Sequence, residues 1–247
     1  MSGETWLVLG GSSAIARAFA REAAAGGDAV LLAGRDLDDL KRTAADIAIR
    51  HGVAAEAVAF DARKDKTHKK FMAACSRKAK GTLNLFLAFA EMPEQAAMET
   101  DFALARGAIE TTYLGAASVL SAAAPLFEAQ AGGRIVVLGS VAGDRGRLKN
   151  YVYGSAKAGL HAFVQGLRAR LSRAGVTVTT IKPGFVDTAM TWGQPGLFLV
   201  ASPEACARAC LRHAKRGAEV RYVPWFWWGI MAIIKAIPER IFKRLSI

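Results

Sequence analysis

The chain has 247 residues, of which 52% are hydrophobic and 22% charged, so it can bury the core of one large α/β domain and is not a disordered chain. Three cysteines are too few and too scattered for a disulfide framework, and Cys206 and Cys210, four apart in a helical pattern, lack the further ligands a metal site needs. The net charge of +12 is concentrated: residues 206–247 hold nine Lys/Arg against two Asp/Glu and are rich in aromatics, which points to a membrane surface rather than to nucleic acid.

In chain order, apolar runs at Thr5–Gly10, Ala29–Ala33, Ala54–Phe60, Leu83–Ala90, Arg134–Leu138 and Val176–Ile181 predict strands. Helical patterns fall between them, at Ala14–Ala25, Asp36–Arg50 and about 67–79, 102–130 and 154–173. Nearly continuous apolar strands alternating with helices predict a doubly wound parallel sheet of the Rossmann-like α/β type, covered on both faces. One dinucleotide-binding domain is expected over 1–220, followed by an amphipathic tail over 221–247. The N-terminus has no basic region ahead of a long apolar segment, so no secretory signal is read and a reducing cytoplasm is expected.

The first turn reads Leu-Gly-Gly-Ser-Ser-Ala-Ile-Ala-Arg and opens the first helix. Small residues there let the backbone approach a pyrophosphate, and the helix start offers free N–H groups and a positive dipole end. Gly10 is present, while Ala14 and Ala16 stand where the usual fingerprint has glycines. The second strand ends in Gly34 and Arg35 rather than in the acid that binds the ribose hydroxyls of NAD. A guanidinium suits a 2′-phosphate, and Ser12 can add a hydroxyl, so NADP(H) is expected over NAD(H); Asp36 keeps the second option open.

Tyr153-Gly-Ser-Ala-Lys157 puts a phenol and an amine one helical turn apart. A nearby ammonium favours the phenolate, which would let tyrosine exchange the substrate proton near neutral pH. Ser140 ends the preceding strand, and Pro183-Gly-Phe-Val-Asp-Thr188 follows the next one, at the carboxyl edge of the sheet where ligands bind.

This ordered set resembles the short-chain dehydrogenase/reductases over residues 5–190. The resemblance implies that Ser140 and Tyr153 bind the carbonyl oxygen, that Tyr153 transfers the proton, and that Lys157 binds the nicotinamide ribose and lowers the tyrosine pKa. It implies cofactor contacts at Gly10, Ser12, Ser13, Ala14, Ile15, Arg35, Asp61, Ala90, Tyr153, Lys157, Pro183, Gly184, Val186 and Thr188, with Asp61 on the adenine and Thr188 on the nicotinamide amide. The substrate expected is a ketone or secondary alcohol, small or lipid-linked, turned over by a homo-oligomer without a metal.

Two positions differ from the family pattern. Ala88-Phe-Ala-Glu91 replaces Asn-Asn-Ala-Gly, and Thr112 stands where the family's helix asparagine supports a proton-relay water. These leave an alternative of the same fold: a cofactor-binding scaffold or sensor with little turnover. Residues 143–154 and the segment beginning Arg221-Tyr-Val-Pro-Trp225 are similar to reductases acting on decaprenylphosphoryl-2-keto-pentose in arabinan synthesis. In the tail, Tyr222–Ile234 carries no charge, is too short to span a bilayer, and is followed by Lys235, Arg240, Lys243 and Arg244. It is expected either to lie at an anionic membrane interface on the inner face or to pack over the pocket or a second subunit.

Overall fold

The computed structural model describes residues 3–193 and 196–245. Met1 and Ser2, part of the stretch read for a secretory signal, lie outside the described residues, as do Ser246 and Ile247 of the expected tail.

Seven strands form a wholly parallel sheet in the order β3-β2-β1-β4-β5-β6-β7. They are β1 (Thr5–Leu9), β2 (Ala29–Gly34), β3 (Ala55–Ala59), β4 (Leu83–Leu87), β5 (Arg134–Leu138), β6 (Thr177–Pro183) and β7 (Val220–Val223). Every residue of β1 and β4 is buried, as expected for central parallel strands with both faces covered. The one polar side chain inside β4 is satisfied: Asn84 donates to Glu4 at 2.9 Å and accepts from the Arg134 N–H at 2.8 Å.

One face of the sheet packs on α1 (Ala14–Ala25), α2 (Leu37–His51) and α8 (Pro203–Lys215), around a stack of Phe19 on Phe86 with ring centroids 3.9 Å apart. The other packs on α3 (Asp65–Lys78), α6 (Ala116–Gln130) and α7 (Tyr151–Leu171). The single helix expected over 102–130 is instead α5 (Phe102–Ile109), a π-helical turn (Glu110–Gly115) and α6 in continuous succession, preceded by α4 (Gln95–Thr100). Gly115 closes that turn where a Cβ would sit 2.3 Å from the Ala62 carbonyl oxygen, so only glycine lets the helix pass the end of the β3 loop.

Strand order reverses beside β1, which opens a crevice between the carboxyl ends of β1 and β4. The sheet also extends past the expected domain limit, because β7 runs through Val223 beside β6. Beyond it come α9 (Trp227–Ala236) and α10 (Glu239–Phe242), and α9 packs on Val141 and Phe185 through Trp227 and Met231.

Candidate active site

The first turn is shaped for close approach. Gly10 has φ +82°, and a Cβ there would lie 3.0 Å from Ala88 and Phe89 across the crevice. Ser13 caps α1 by accepting from the Ala16 N–H at 3.2 Å, and no acidic residue occupies the first turn to quench its dipole. An anion-binding helix start, a glycine cradle and Arg35 thus face one cavity of about 690 Å³. These residues fit a dinucleotide phosphate. Arg35 is exposed and meets Glu91 at 3.8 Å, a weak pairing that leaves its guanidinium available; Arg17, by contrast, is spent on Asp39 and Thr43.

The cavity is lined by all but one of the residues singled out in the sequence: Gly10, Ser12–Ile15, Arg35, Asp61, Ala90, Ser140, Tyr153, Lys157, Pro183, Gly184, Val186 and Thr188. The exception is Thr112. It is fully buried outside the cavity, in the π-helical turn, where its hydroxyl accepts from the Glu91 N–H at 3.0 Å and donates to the Glu91 carbonyl at 3.2 Å. Its side chain therefore ties the helix to the loop after β4, which forms the cavity's opposite wall.

The helix α7 begins at Tyr151, three residues before the expected 154, so Tyr153 lies in its first turn with Lys157 one turn on. Ser140 lies two residues beyond β5, in extended backbone. Its hydroxyl oxygen accepts from the Ala142 N–H at 3.1 Å, which leaves its proton free to point at the Tyr153 phenol. Its own N–H donates to His161 Nε2 at 3.3 Å. Burial holds His161 down to about 3, so that ring nitrogen stays an acceptor at neutral pH.

Electrostatics corrects one expectation. Lys157 Nζ donates to the Leu138 carbonyl at 2.7 Å and lies 5.8 Å from the Tyr153 ring centroid. Burial dominates both groups in the chain alone: Tyr153 is pushed up to about 12, eased by the Ser140 hydrogen bond, and Lys157 is pushed down to about 7. In the chain alone burial, rather than the neighbouring amine, sets the direction of the phenol's shift. At neutral pH Tyr153 carries its proton.

Behind the site lies a polar knot that the motif pattern did not reveal. Asp144, almost wholly buried, accepts from Lys182 Nζ at 2.5 Å and from the Tyr222 hydroxyl at 2.6 Å, with His161 Nδ1 at 3.8 Å. Arg145 donates to the Ile234 and Ile237 carbonyls at 2.6 Å each and to Glu239 at 2.9 Å, with its guanidinium 3.7 Å over the Phe242 ring. It thus caps the carboxyl end of α9. The tail is docked on the catalytic loop: Trp227 and Met231 bury against Val141, Phe185 and the bare face of Gly184. The other face of the tail stays in solvent, with Trp225 81% and Trp228 67% exposed.

Residues 4–195 match the model of the family described as short chain dehydrogenase. An uncharacterized oxidoreductase of Mycobacterium tuberculosis is 35% identical, over 97% of this chain and 96% of its own length. Among solved structures, a short chain dehydrogenase/reductase family protein is 29% identical with a TM-score of 0.79, covering 90% of this chain and 97% of that one. A short-chain dehydrogenase from Sphingobium yanoikuyae in complex with NADPH shares the fold at a TM-score of 0.78 and 24% identity, over 95% and 96% of the two chains. The chain belongs to the short-chain dehydrogenase/reductase family and is an NAD(P)-dependent oxidoreductase.

Proposed function

We propose that this protein is an NADPH-dependent reductase of a hydrophobic ketone, in the class of lipid-linked keto sugars. The observation that carries the reading is the convergence of Ser140, Tyr153 and Lys157 on the cavity that the α1 helix start and Arg35 also face. The bound nicotinamide supplies the hydride. With substrate bound, the Ser140 hydroxyl proton, directed at the Tyr153 phenol in the chain alone, would turn to the carbonyl oxygen. Tyr153, protonated because burial raises its pKa, donates the proton that the reduced oxygen needs. Lys157, held on the Leu138 carbonyl, is placed one turn behind the phenol. Thr112 positions the Glu91 loop that closes the opposite wall.

NADPH is preferred on Arg35 and on the absence of an acid at the end of β2. The Sphingobium relative's structure with NADPH is in keeping with that preference. A lipid-linked substrate draws support from residues 143–154 and 221–225, the two segments that resemble decaprenylphosphoryl-keto-pentose reductases. The two segments adjoin through the hydrogen bond from the Tyr222 hydroxyl to Asp144.

The exposed tail face, with Trp225, Trp228, Ile233 and Ile241 near Arg240, Lys243 and Arg244, suits an anionic membrane surface on the inner leaflet. No helix among the described residues is long and apolar enough to cross a membrane. Phe102, Leu104 and Leu114, on and beside α5, are exposed apolar side chains that a homo-oligomer would cover. The test is NADPH oxidation by purified protein against ketones of increasing chain length. Tight NADPH binding with no turnover on any ketone would favour the scaffold alternative.

A further inference from the structure

The guanidinium of Arg147 has no function in the chemistry described above and no adequate partner. Its Nη2 donates to the Val141 carbonyl at 3.3 Å and to the thioether sulfur of Met231 at 3.1 Å, a weak acceptor. Its Nε is buried with no partner at all. Among the described residues no carboxylate lies within salt-bridge distance of it. The nearest acidic group acting on it, Asp144, is already bonded to Lys182 and Tyr222. Its neighbour Arg145 shows the contrast, with every described contact of its guanidinium made to a carbonyl, a carboxylate or an aromatic ring.

Burying a guanidinium without a counter-charge is costly, and such a group is retained where something else pairs with it. Arg147 lines the cavity that holds Tyr153. Asn150 lines it too, and its Oδ1 is a second buried polar atom without a partner. The cofactor's phosphates are served elsewhere, at the α1 helix start and Arg35. The wall formed by the loop between Ser140 and Tyr153 therefore offers a cationic donor and a free amide on the substrate's side.

We infer that Arg147 is the specificity-determining residue that pairs with an oxyanion, of the phosphate-ester class, carried by the substrate, while Asn150 receives a substrate hydroxyl. This deepens the reductase reading and rests on it for the ligand's place beside Tyr153. Val141, which lines the same cavity and whose carbonyl meets the guanidinium, offers apolar contact to the hydrocarbon attached to that phosphate.

The test is calorimetric titration of NADPH-saturated protein with dodecyl phosphate, and with dodecanol as the uncharged match. The wild type should bind the phosphate at least about tenfold more tightly. Arg147→Gln should lose about 10- to 100-fold for the phosphate, the scale of a charge-assisted hydrogen bond, with dodecanol and NADPH affinities unchanged. Arg147→Lys keeps the charge without the planar fork and should retain part of the preference; it decides the matter if the glutamine variant does not fold. Equal phosphate binding by the wild type and either variant overturns the inference, as does a parallel loss of NADPH affinity. The titration needs no turnover, so a protein that binds the phosphate through Arg147 yet reduces no ketone overturns the reductase reading alone.

Discussion

Gly184→Ala tests whether the tail is docked behind the Pro183–Phe185 wall of the cavity. A Cβ built on Gly184 sits 2.0 Å from Trp227 Nε1 and Cε2, against an ordinary contact of 3.4 Å or more, so the indole must retreat by at least the difference, 3.4 − 2.0 = 1.4 Å. The glycine cannot yield instead, because its N–H is bonded to the Val223 carbonyl at 3.0 Å. The indole has little room either, with Phe185 at 5.4 Å and Phe198 at 5.6 Å between ring centroids. Overpacking of this kind costs about 1–3 kcal/mol, rising to roughly 3–5 kcal/mol if the ring leaves its seat. At roughly 2–4 °C per kcal/mol for a chain of this size, Tm should fall by about 2–12 °C for a retained ring. KM for hydrophobic ketones should rise because the wall has moved, while NADPH affinity changes little. Gly229→Ala, where an added Cβ meets nothing within 4 Å, is the matched control in the same tail and should be neutral or stabilising. A Gly184→Ala protein with wild-type Tm and KM would refute the docked tail.

Arg35→Ala should weaken NADPH by about 10- to 100-fold and NADH hardly at all, measured by titrating each cofactor; equal losses would place Arg35 outside the 2′-phosphate site. Arg145→Ala removes the cap on α9 and should lower stability by roughly 1.5–3 kcal/mol in chemical denaturation, more than the same change at the exposed Arg42. His161 sets an acid limit. Its folded pKa of about 3 lies below its unfolded value of 6.5, so the unfolded chain binds the proton more readily. Its contribution to stability is present above pH 6.5 and lost as pH falls towards 3, by roughly 1.4 kcal/mol at pH 5.5. A Tm unchanged between pH 7 and 5.5 would contradict a buried, neutral His161. Vesicles containing anionic lipid should retain the chain at low salt and release part of it at high salt, read by co-sedimentation.

The sheet was legible because its central strands are fully buried and read as unbroken apolar runs. β7 was not, since Val220–Val223 is short, carries Arg221 and Tyr222, and merges into the aromatic tail. The π-helical turn escaped because it interrupts neither composition nor periodicity; its cause, the contact of Gly115 with the Ala62 carbonyl, is tertiary. The site motif was legible through the Tyr153–Lys157 spacing and the positions of Ser140 and Thr188 at strand ends. The Asp144 knot was not, because its members come from four separated stretches of chain and only the fold brings Lys182 and Tyr222 to one carboxylate. The direction of the Tyr153 shift depends on burial, which spacing on a helix does not report.

The role proposed for Tyr153 is delivery of the proton in an NADPH-dependent ketone reduction. Steady-state NADPH oxidation with a ketone that the wild type reduces, compared between wild type and Tyr153→Phe, tests it most directly. The phenylalanine variant should keep its NADPH affinity and a Tm within a few degrees of wild type, with a kcat lower by at least about 10²–10⁴-fold. Wild-type turnover by the phenylalanine variant would contradict it.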